Sequence, residues 1–339
     1  MAAANVKIFL ASLFRMSGWF ALRSRMVMKN KAVIFMYHRV LPQDLVQATD
    51  IPVQPGMYVT PASLKLHLSY LKAHFLIISL AELVRRLQAG ENISHCAVIT
   101  FDDGWQDNYT YAFPILKELK VPATIFLASG FIGTSRWFWP EEISWAVLSV
   151  RRKRFDASLL PDALSHIMRR EAHMNMEIEE SCELVISEMK SWDEPRRLSV
   201  AKSCALLREK TAGESERLLM NWDEAREMLQ SRLVSFGSHT VSHAMLDQLP
   251  LEQVQRELVE CAADIHSEID VSAELFAFPN GNYTQQVLST LPSFGITAAV
   301  TTKRGLVNEN SPLLELPRIA VHEDVSHTQA LFQWRLFVR

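Results

Sequence analysis

Short, β-rich apolar runs, most of them closing on a polar residue or glycine, recur along this 339-residue chain. Val33–His38, Phe75–Leu80, Ala97–Asp103, Ala123–Ser129, Leu233–His239, Leu275–Gly281, Ala298–Thr302 and Leu316–Val321 follow the pattern. Several of them, such as VIFMY, AVITF and ATIFLA, are apolar without alternation. A strand buried on both faces reads this way, and parallel sheets are built of such strands. Helix-start signals lie between the runs. Thr60 precedes Pro61, an N-cap followed by proline at the first helical position. Ser79 with Glu82, and Asn221 with Glu224, have the spacing of a capping box. Strand and helix in alternation predict an α/β fold with a parallel sheet, open or closed into a barrel.

From about Glu141 to Met220 the rhythm breaks. Leu159–Arg170, Ile178–Lys190 and Leu198–Lys210 are charged and helical in pattern. This stretch is expected to be a helical insertion between two strands, within a domain covering residues 31–339. Hydrophobic residues at 48% supply enough material for a sizeable core. Lys and Arg total 35 against 38 Asp and Glu, a balance that argues against a dedicated nucleic-acid binder. Cys96, Cys182, Cys204 and Cys261 form no C-x-x-C and are expected as free thiols in a reducing compartment.

No run reaches the roughly 18 apolar residues of a membrane span. Val6 to Leu22 is apolar, but Arg15 interrupts it and Arg23, Arg25, Lys29 and Lys31 follow. A signal peptide carries its charge before the apolar run and a small-residue cleavage site after it. Residues 1–30 therefore read as an amphipathic helix, which either packs against the domain or lies on an anionic membrane surface. The expected location is the cytoplasm, either free or at the inner face of the cytoplasmic membrane.

The chemistry sits at the ends of the runs. Thr100-Phe101-Asp102-Asp103-Gly104 closes the third one. Two carboxylates at the end of a buried strand are costly unless something compensates them, and a metal would. A turn at Gly104 lets both reach one site, one binding metal and the other free as a base. On these residues alone, a plain strand-end turn is an equal reading. His239-Thr240-Val241-Ser242-His243 offers two histidines four apart, able to reach one metal through neutral imidazole. Two His, one Asp and water make an open, catalytic type of site; a closed structural zinc site wants four protein ligands. Phe276-Ala277-Phe278-Pro279-Asn280-Gly281 is a third strand end, where backbone N–H groups can turn toward an oxyanion. Leu316–His322 ends at a candidate general acid, His322, and His38 has the same geometry at the end of Val33–Tyr37. The N-x-[ST] triplets at Asn92, Asn108 and Asn282 read as chance matches.

Together these motifs resemble the polysaccharide deacetylases, carbohydrate esterase family 4, also called the nodulation-type chitooligosaccharide deacetylase domain. TFDDG and HTVSH look like the family's two metal-site motifs. MYHRV at Met36–Val40, DDGWQDNY, PILKELKVPATIFLASGFIG, NWDEAREM and FAFPNG are similar to its flanking segments, in order, over roughly Val33 to His322. FAFPNG looks more like bacterial exopolysaccharide-biosynthesis members than like secreted chitin deacetylases. The resemblance implies a distorted (β/α)7 barrel and one divalent metal held by Asp103, His239 and His243. Zinc is expected, with Co2+ or Ni2+ as alternatives. It implies Asp102 as general base, the Asn280 N–H as oxyanion donor, and His322 as general acid. Trp222, Arg318 and His38 are expected to line the substrate site.

Two departures stand out. The family's third motif usually carries an Arg before the Pro, where this chain has Ala277 and Phe278; Arg318 is the candidate replacement. The final Leu-x-His motif is matched only loosely by Ala320-Val321-His322. The implied activity is hydrolytic N-deacetylation of amino sugars in a polysaccharide or its lipid-linked precursor, releasing acetate. A deformylase or other amide hydrolase of the same fold, and a catalytically silent carbohydrate-binding homologue, are the alternatives.

Overall fold

The structure is a computed structural model that describes residues 2–48, 53–54, 56–170, 176–212 and 217–338. Seven strands form its centre: β1 Lys31–Tyr37, β2 Cys96–Phe101, β3 Ala123–Leu127, β4 Val234–Ser238, β5 Leu275–Ala277, β6 Ala298–Arg304 and β7 Leu316–Ala320. Each pairs in parallel with the next, and β7 pairs with β1, so the sheet closes into a barrel in chain order. Parallel closure puts every strand's C-terminal end at one mouth, the place where barrel enzymes build their sites.

The unbroken apolar runs have their reason in this packing. Ala32, Ile34, Val98, Phe126, Ala277, Ala298 and Val300 share one core cluster. Phe276, Phe278 and Ala299, alternate residues on the same strands, join Val254, Leu258 and Leu288 in another. Both faces of the strands are therefore dry. The run Phe75–Leu80 is the exception. Only Leu76–Ile77 pairs as a strand, with the start of β2 and outside the ring, because Ser79 already caps the next helix. The expected caps form: Thr60 accepts from the Ser63 N–H, and Asn221 and Glu224 cap each other reciprocally.

Two compact units divide the chain. One comprises residues 1–41, 56–133 and 219–339 and holds the barrel; the other comprises 42–55 and 134–218. The second unit begins before Glu141 and has its own core. Helices Trp139–Arg151, Ile178–Lys190 and Glu194–Ala212 bury Ile143, Val147, Val185, Met189 and Cys204. All four cysteines are buried and unpaired.

The N-terminal segment belongs to the barrel unit. It is two helices rather than one, Ala2–Met16 and Trp19–Val27, broken where Gly18 adopts φ +73°. Phe14 stacks on Trp334 of the last helix, Gln329–Phe337, with centroids 5.5 Å apart.

Candidate active site

At the end of β2 the backbone reverses. Asp103 has φ +77° and Gly104 φ +80°, both left-handed. A Cβ at Gly104 would meet Leu127 and Ile132 at 2.9 Å, so glycine is required there. The Asp102 N–H still donates to the Tyr37 carbonyl, extending the ladder one residue past β2. The reversal sends the two buried side chains to different partners.

Asp102 accepts from both arms of Arg318 on β7, Nη1 at 2.7 Å and Nη2 at 2.6 Å. The guanidinium is itself fixed: Nε donates to the Thr301 carbonyl and Nη1 also to the Thr100 hydroxyl. Burial pushes the Asp102 carboxyl up, but Arg318, His239 and His38 outweigh it and hold the group below the usual carboxylate range. Asp102 is thus an ionised, oriented carboxylate. His38 lies beside it, with Nε2 3.9 Å from Oδ2, and the Asn108 amide fixes the His38 carbonyl at 2.7 Å.

Asp103 faces two histidines. His239 Nε2 and His243 Nε2 both lie 3.3 Å from its Oδ1. His239 follows β4 directly. Its Nδ1 donates to the Ala277 carbonyl at 2.8 Å, which leaves the Nε2 lone pair for the shared point. Trp105 Nε1 donates to the other Asp103 oxygen at 2.8 Å. Burial raises Asp103, yet the two histidines hold it well below the usual range, and His239 is raised in turn despite its burial. An ionised carboxylate facing two imidazole nitrogens marks the point where a cation would sit. A divalent ion binds the deprotonated forms of histidine and carboxylate, which this point would present to it. One ligand atom from each residue lies within 4.8 Å of the others, so the donor set fits such an ion. His243 is the most exposed of the three.

Four non-glycine residues at this mouth hold positive φ: Asp103, Thr240, His243 and Asn280. Such backbone costs on the order of 1–3 kcal/mol per residue and gathers at functional sites. The loop between the two histidines is held by Glu257. Its carboxylate accepts from the Val241 N–H at 2.8 Å, the Ser242 N–H at 2.9 Å and the Ser242 hydroxyl at 2.7 Å.

The other expected site residues fall in different places. Asn280 lies on the turn three residues beyond the carbonyl that holds His239, and Gly281 beside it has no room for a Cβ against Thr302. Trp222 opens its helix with its ring beside Gly133, outside the ion pairs that tie the site together. His322 stands at the N-cap position of the short helix Glu323–Ser326 without a side-chain capping bond, its Nδ1 pairs with Asp324 at 3.2 Å, and its ring lies against Gly56. The histidine next to Asp102 is His38. Sequence reasoning missed Glu257, which stands 14 residues past His243 on another element. It also missed the support behind Trp105, where the Arg39 guanidinium lies 4.4 Å from the ring and pairs with Asp107 at 2.9 Å. Trp105 and Asp107 both stand in DDGWQDNY, and that was the available signal.

A parallel seven-strand barrel with an Asp-His-His cluster and an independent carboxylate at its mouth defines a class of barrel hydrolases. The chain belongs to the polysaccharide deacetylase family, whose profile matches residues 89–180 and 201–299. The poly-β-1,6-N-acetyl-D-glucosamine N-deacetylase of Staphylococcus epidermidis is 32% identical over 115 residues, covering 32% of this chain and 40% of that one. YxkH of Bacillus subtilis is 21% identical over 231 residues, covering 68% of this chain and 53% of that one. The chain thus spans about half or less of the length of these relatives. In fold it is similar to the Streptococcus pyogenes deacetylase PplD, with a TM-score of 0.58, 19% identity, and coverage of 92% and 99% of the two chains.

Proposed function

We propose that the protein is a metal-dependent N-deacetylase of N-acetylated amino sugars in a polysaccharide or its lipid-linked precursor, with acetate and a free amine as products. One observation carries this reading: the adjacent carboxylates are divided. Asp103 joins two histidines, while Asp102 is held apart by Arg318 and faces a third histidine. Metal-assisted hydrolysis of an amide uses such a pair, a cation site and a separate proton acceptor beside it.

Asp103, His239 and His243 would hold the ion. Three N/O ligands with an open position suit zinc, and cobalt or nickel accept the same donors. When bound, such an ion lowers the pKa of water and polarises a carbonyl. Asp102 accepts the proton of the attacking water, and Arg318 fixes the plane in which it does so. The Asn280 N–H donates to the developing oxyanion. His38 protonates the leaving amine, replacing His322 in that role. Burial lowers the His38 imidazole, against the pull of Asp103 and Asp102. A lowered imidazole is a strong acid once it carries a proton, and Asp102, 3.9 Å away, can pass on the one it takes from the attacking water.

The third-motif arginine absent from FAFPNG was the main argument for a silent homologue. The bidentate Arg318–Asp102 pair supplies the same guanidinium from another strand, which favours an active enzyme. The relative from S. epidermidis makes N-acetylglucosamine oligomers the first substrate to try. Metal content and acetate release are measured on the native chain, on Asp102→Asn and on His239→Ala. The native protein should hold about one ion and release acetate; Asp102→Asn should keep the ion and lose activity; His239→Ala should lose both. Native protein that binds no divalent ion would overturn the reading.

A further inference from the structure

We propose that the N-terminal helix pair seats the protein on the surface of an anionic phospholipid bilayer. Ala2–Met16 and Trp19–Val27 use one side to pack on the barrel unit. Ala11 joins Ala330 and Leu331, Phe14 stacks on Trp334, and Phe20 and Met28 are buried. The core requirement of these helices is met on that side, yet the opposite side is apolar too. Val6, Phe9, Leu13 and Met16 follow at steps of three, four and three, which places them in one stripe along the first helix. They are exposed, Phe9 by 67% and Met16 by 86%. Leu22 and Met26, four apart and exposed, add a second apolar pair on the next helix. An exposed apolar stripe along one side of a helix marks an interaction surface rather than ordinary scatter.

Charge selects the partner. Residues 1–31 contain Lys7, Arg15, Arg23, Arg25, Lys29 and Lys31 and no Asp or Glu, in a chain that is net negative overall. Apolar residues flanked by bases are the signature of a helix lying in a membrane interface. Arg23 lies over the Trp19 ring at 5.9 Å, and tryptophan with arginine is a combination suited to the headgroup level. A second copy docking through this face would bring two sets of like charges together, whereas anionic headgroups neutralise one set. Among the described residues no helix is long and apolar enough to cross a membrane, so the face lies on the bilayer. The inference does not depend on what the barrel hydrolyses.

Cosedimentation of the full chain tests it, with vesicles of phosphatidylcholine alone and of equal parts phosphatidylcholine and phosphatidylglycerol. Native protein should pellet with the anionic vesicles, remain soluble with the neutral ones, and be released by high salt. Phe9→Ser/Leu13→Ser/Met16→Ser, all at exposed positions, should weaken binding more than tenfold while melting like the native chain. Arg15→Gln/Arg25→Gln/Lys29→Gln should weaken it by roughly a hundredfold, at about five-fold per base. If the triple apolar variant does not fold, Met16→Glu alone serves the same purpose. Equal binding to both vesicles, no binding by the native chain, or variants that bind like it would each overturn the proposal. So would self-association of the native chain that the apolar variant alone abolishes, which would make the face a contact between copies.

Discussion

Two buried, bidentate ion pairs, one in each unit, put the same chemistry to different ends. In the helical unit Arg208 reaches Glu142 through Nε at 2.8 Å and Nη2 at 2.7 Å. In the barrel Arg318 reaches Asp102 at 2.7 and 2.6 Å. Distance and burial do not tell them apart. Their surroundings do. Arg208 lies over the Trp137 ring at 3.8 Å, and burial outweighs it, so the Glu142 carboxyl ends above its ordinary range. Asp102 has His239 and His38 nearby in addition to Arg318, and it ends below. A buried ion pair by itself is weak evidence for anything beyond packing. A carboxylate kept ionised by a guanidinium and neighbouring imidazoles at a strand end is a different object, because it can accept a proton.

The largest expected effect follows from removing each pair in turn. Asp102→Asn with Arg318→Met should lower acetate release by about a thousandfold, within the range typical of a lost general base. Glu142→Met with Arg208→Met should leave activity within about twofold. Replacing a whole buried pair by apolar residues is often neutral or stabilising by about 1–4 kcal/mol, so its melting temperature should hold or rise. Steady-state acetate release and thermal melts on the two double variants decide this. Equal activity losses would mean that the helical pair matters to the site as much as the barrel pair does.

Burial without a charged partner gives the next largest effect. His67, on helix Pro61–His74, stacks on Phe332 with centroids 4.2 Å apart and bonds the Ser326 carbonyl at 2.7 Å and the Tyr37 hydroxyl at 3.3 Å. Burial pushes its imidazole down to about 4, and the Ser326 carbonyl offsets only part of that. An unfolded histidine titrates near 6.5. Between these values the unfolded chain binds the extra proton, so stability is full above about pH 6.5, falls as pH drops toward 4, and is level below. The integrated loss is on the order of 3 kcal/mol. Denaturant unfolding at neutral pH and near pH 4 should show His67→Gln with a shallower fall than the native chain. Parallel slopes would show that other groups carry the acid sensitivity.

Much of this arrangement is readable in the sequence where the signal is local. The strands announce themselves because both faces are buried, and the chemistry because polar residues interrupt apolar runs at their ends. Asp102, Asp103, His239 and His243 each stand in such a place. The Arg318–Asp102 pair joins residues 216 positions apart, and only closure of β7 against β1 brings them together. His38 and His322 follow the neighbouring strands β1 and β7, so sequence position cannot choose between them. Their surroundings differ: Ser326 donates to the His322 carbonyl and Asp324 pairs with its ring, while His38 Nε2 lies 3.9 Å from Asp102. The break at Gly18 escapes a periodicity reading because the apolar pattern runs straight through it.

The smallest effect separates the two kinds of carboxylate most cleanly. Glu257 touches neither Asp102 nor the Asp103 cluster in its hydrogen bonds; it holds the loop between His239 and His243 through three donors. That loop bends through Thr240 at φ +65° and His243 at φ +56°, conformations that a β-branched residue in particular does not favour. Without its clamp the loop should relax and His243 should lose its approach to Asp103. Glutamine keeps the shape but carries no charge, so Glu257→Gln should weaken divalent-ion binding about tenfold, the lower end of what supporting contacts are worth at metal sites. Glu257→Ala should weaken it more. Competition against a chelator measures the affinity directly, and the rate per bound ion should stay native in both variants, since Asp102 and His38 are untouched. Asp102→Asn should do the reverse, with affinity intact and rate lost. If Glu257→Gln binds the ion like the native chain, or if its rate per bound ion falls instead, Glu257 is not a positioning residue for the two histidines, and the strain at Thr240 needs another account.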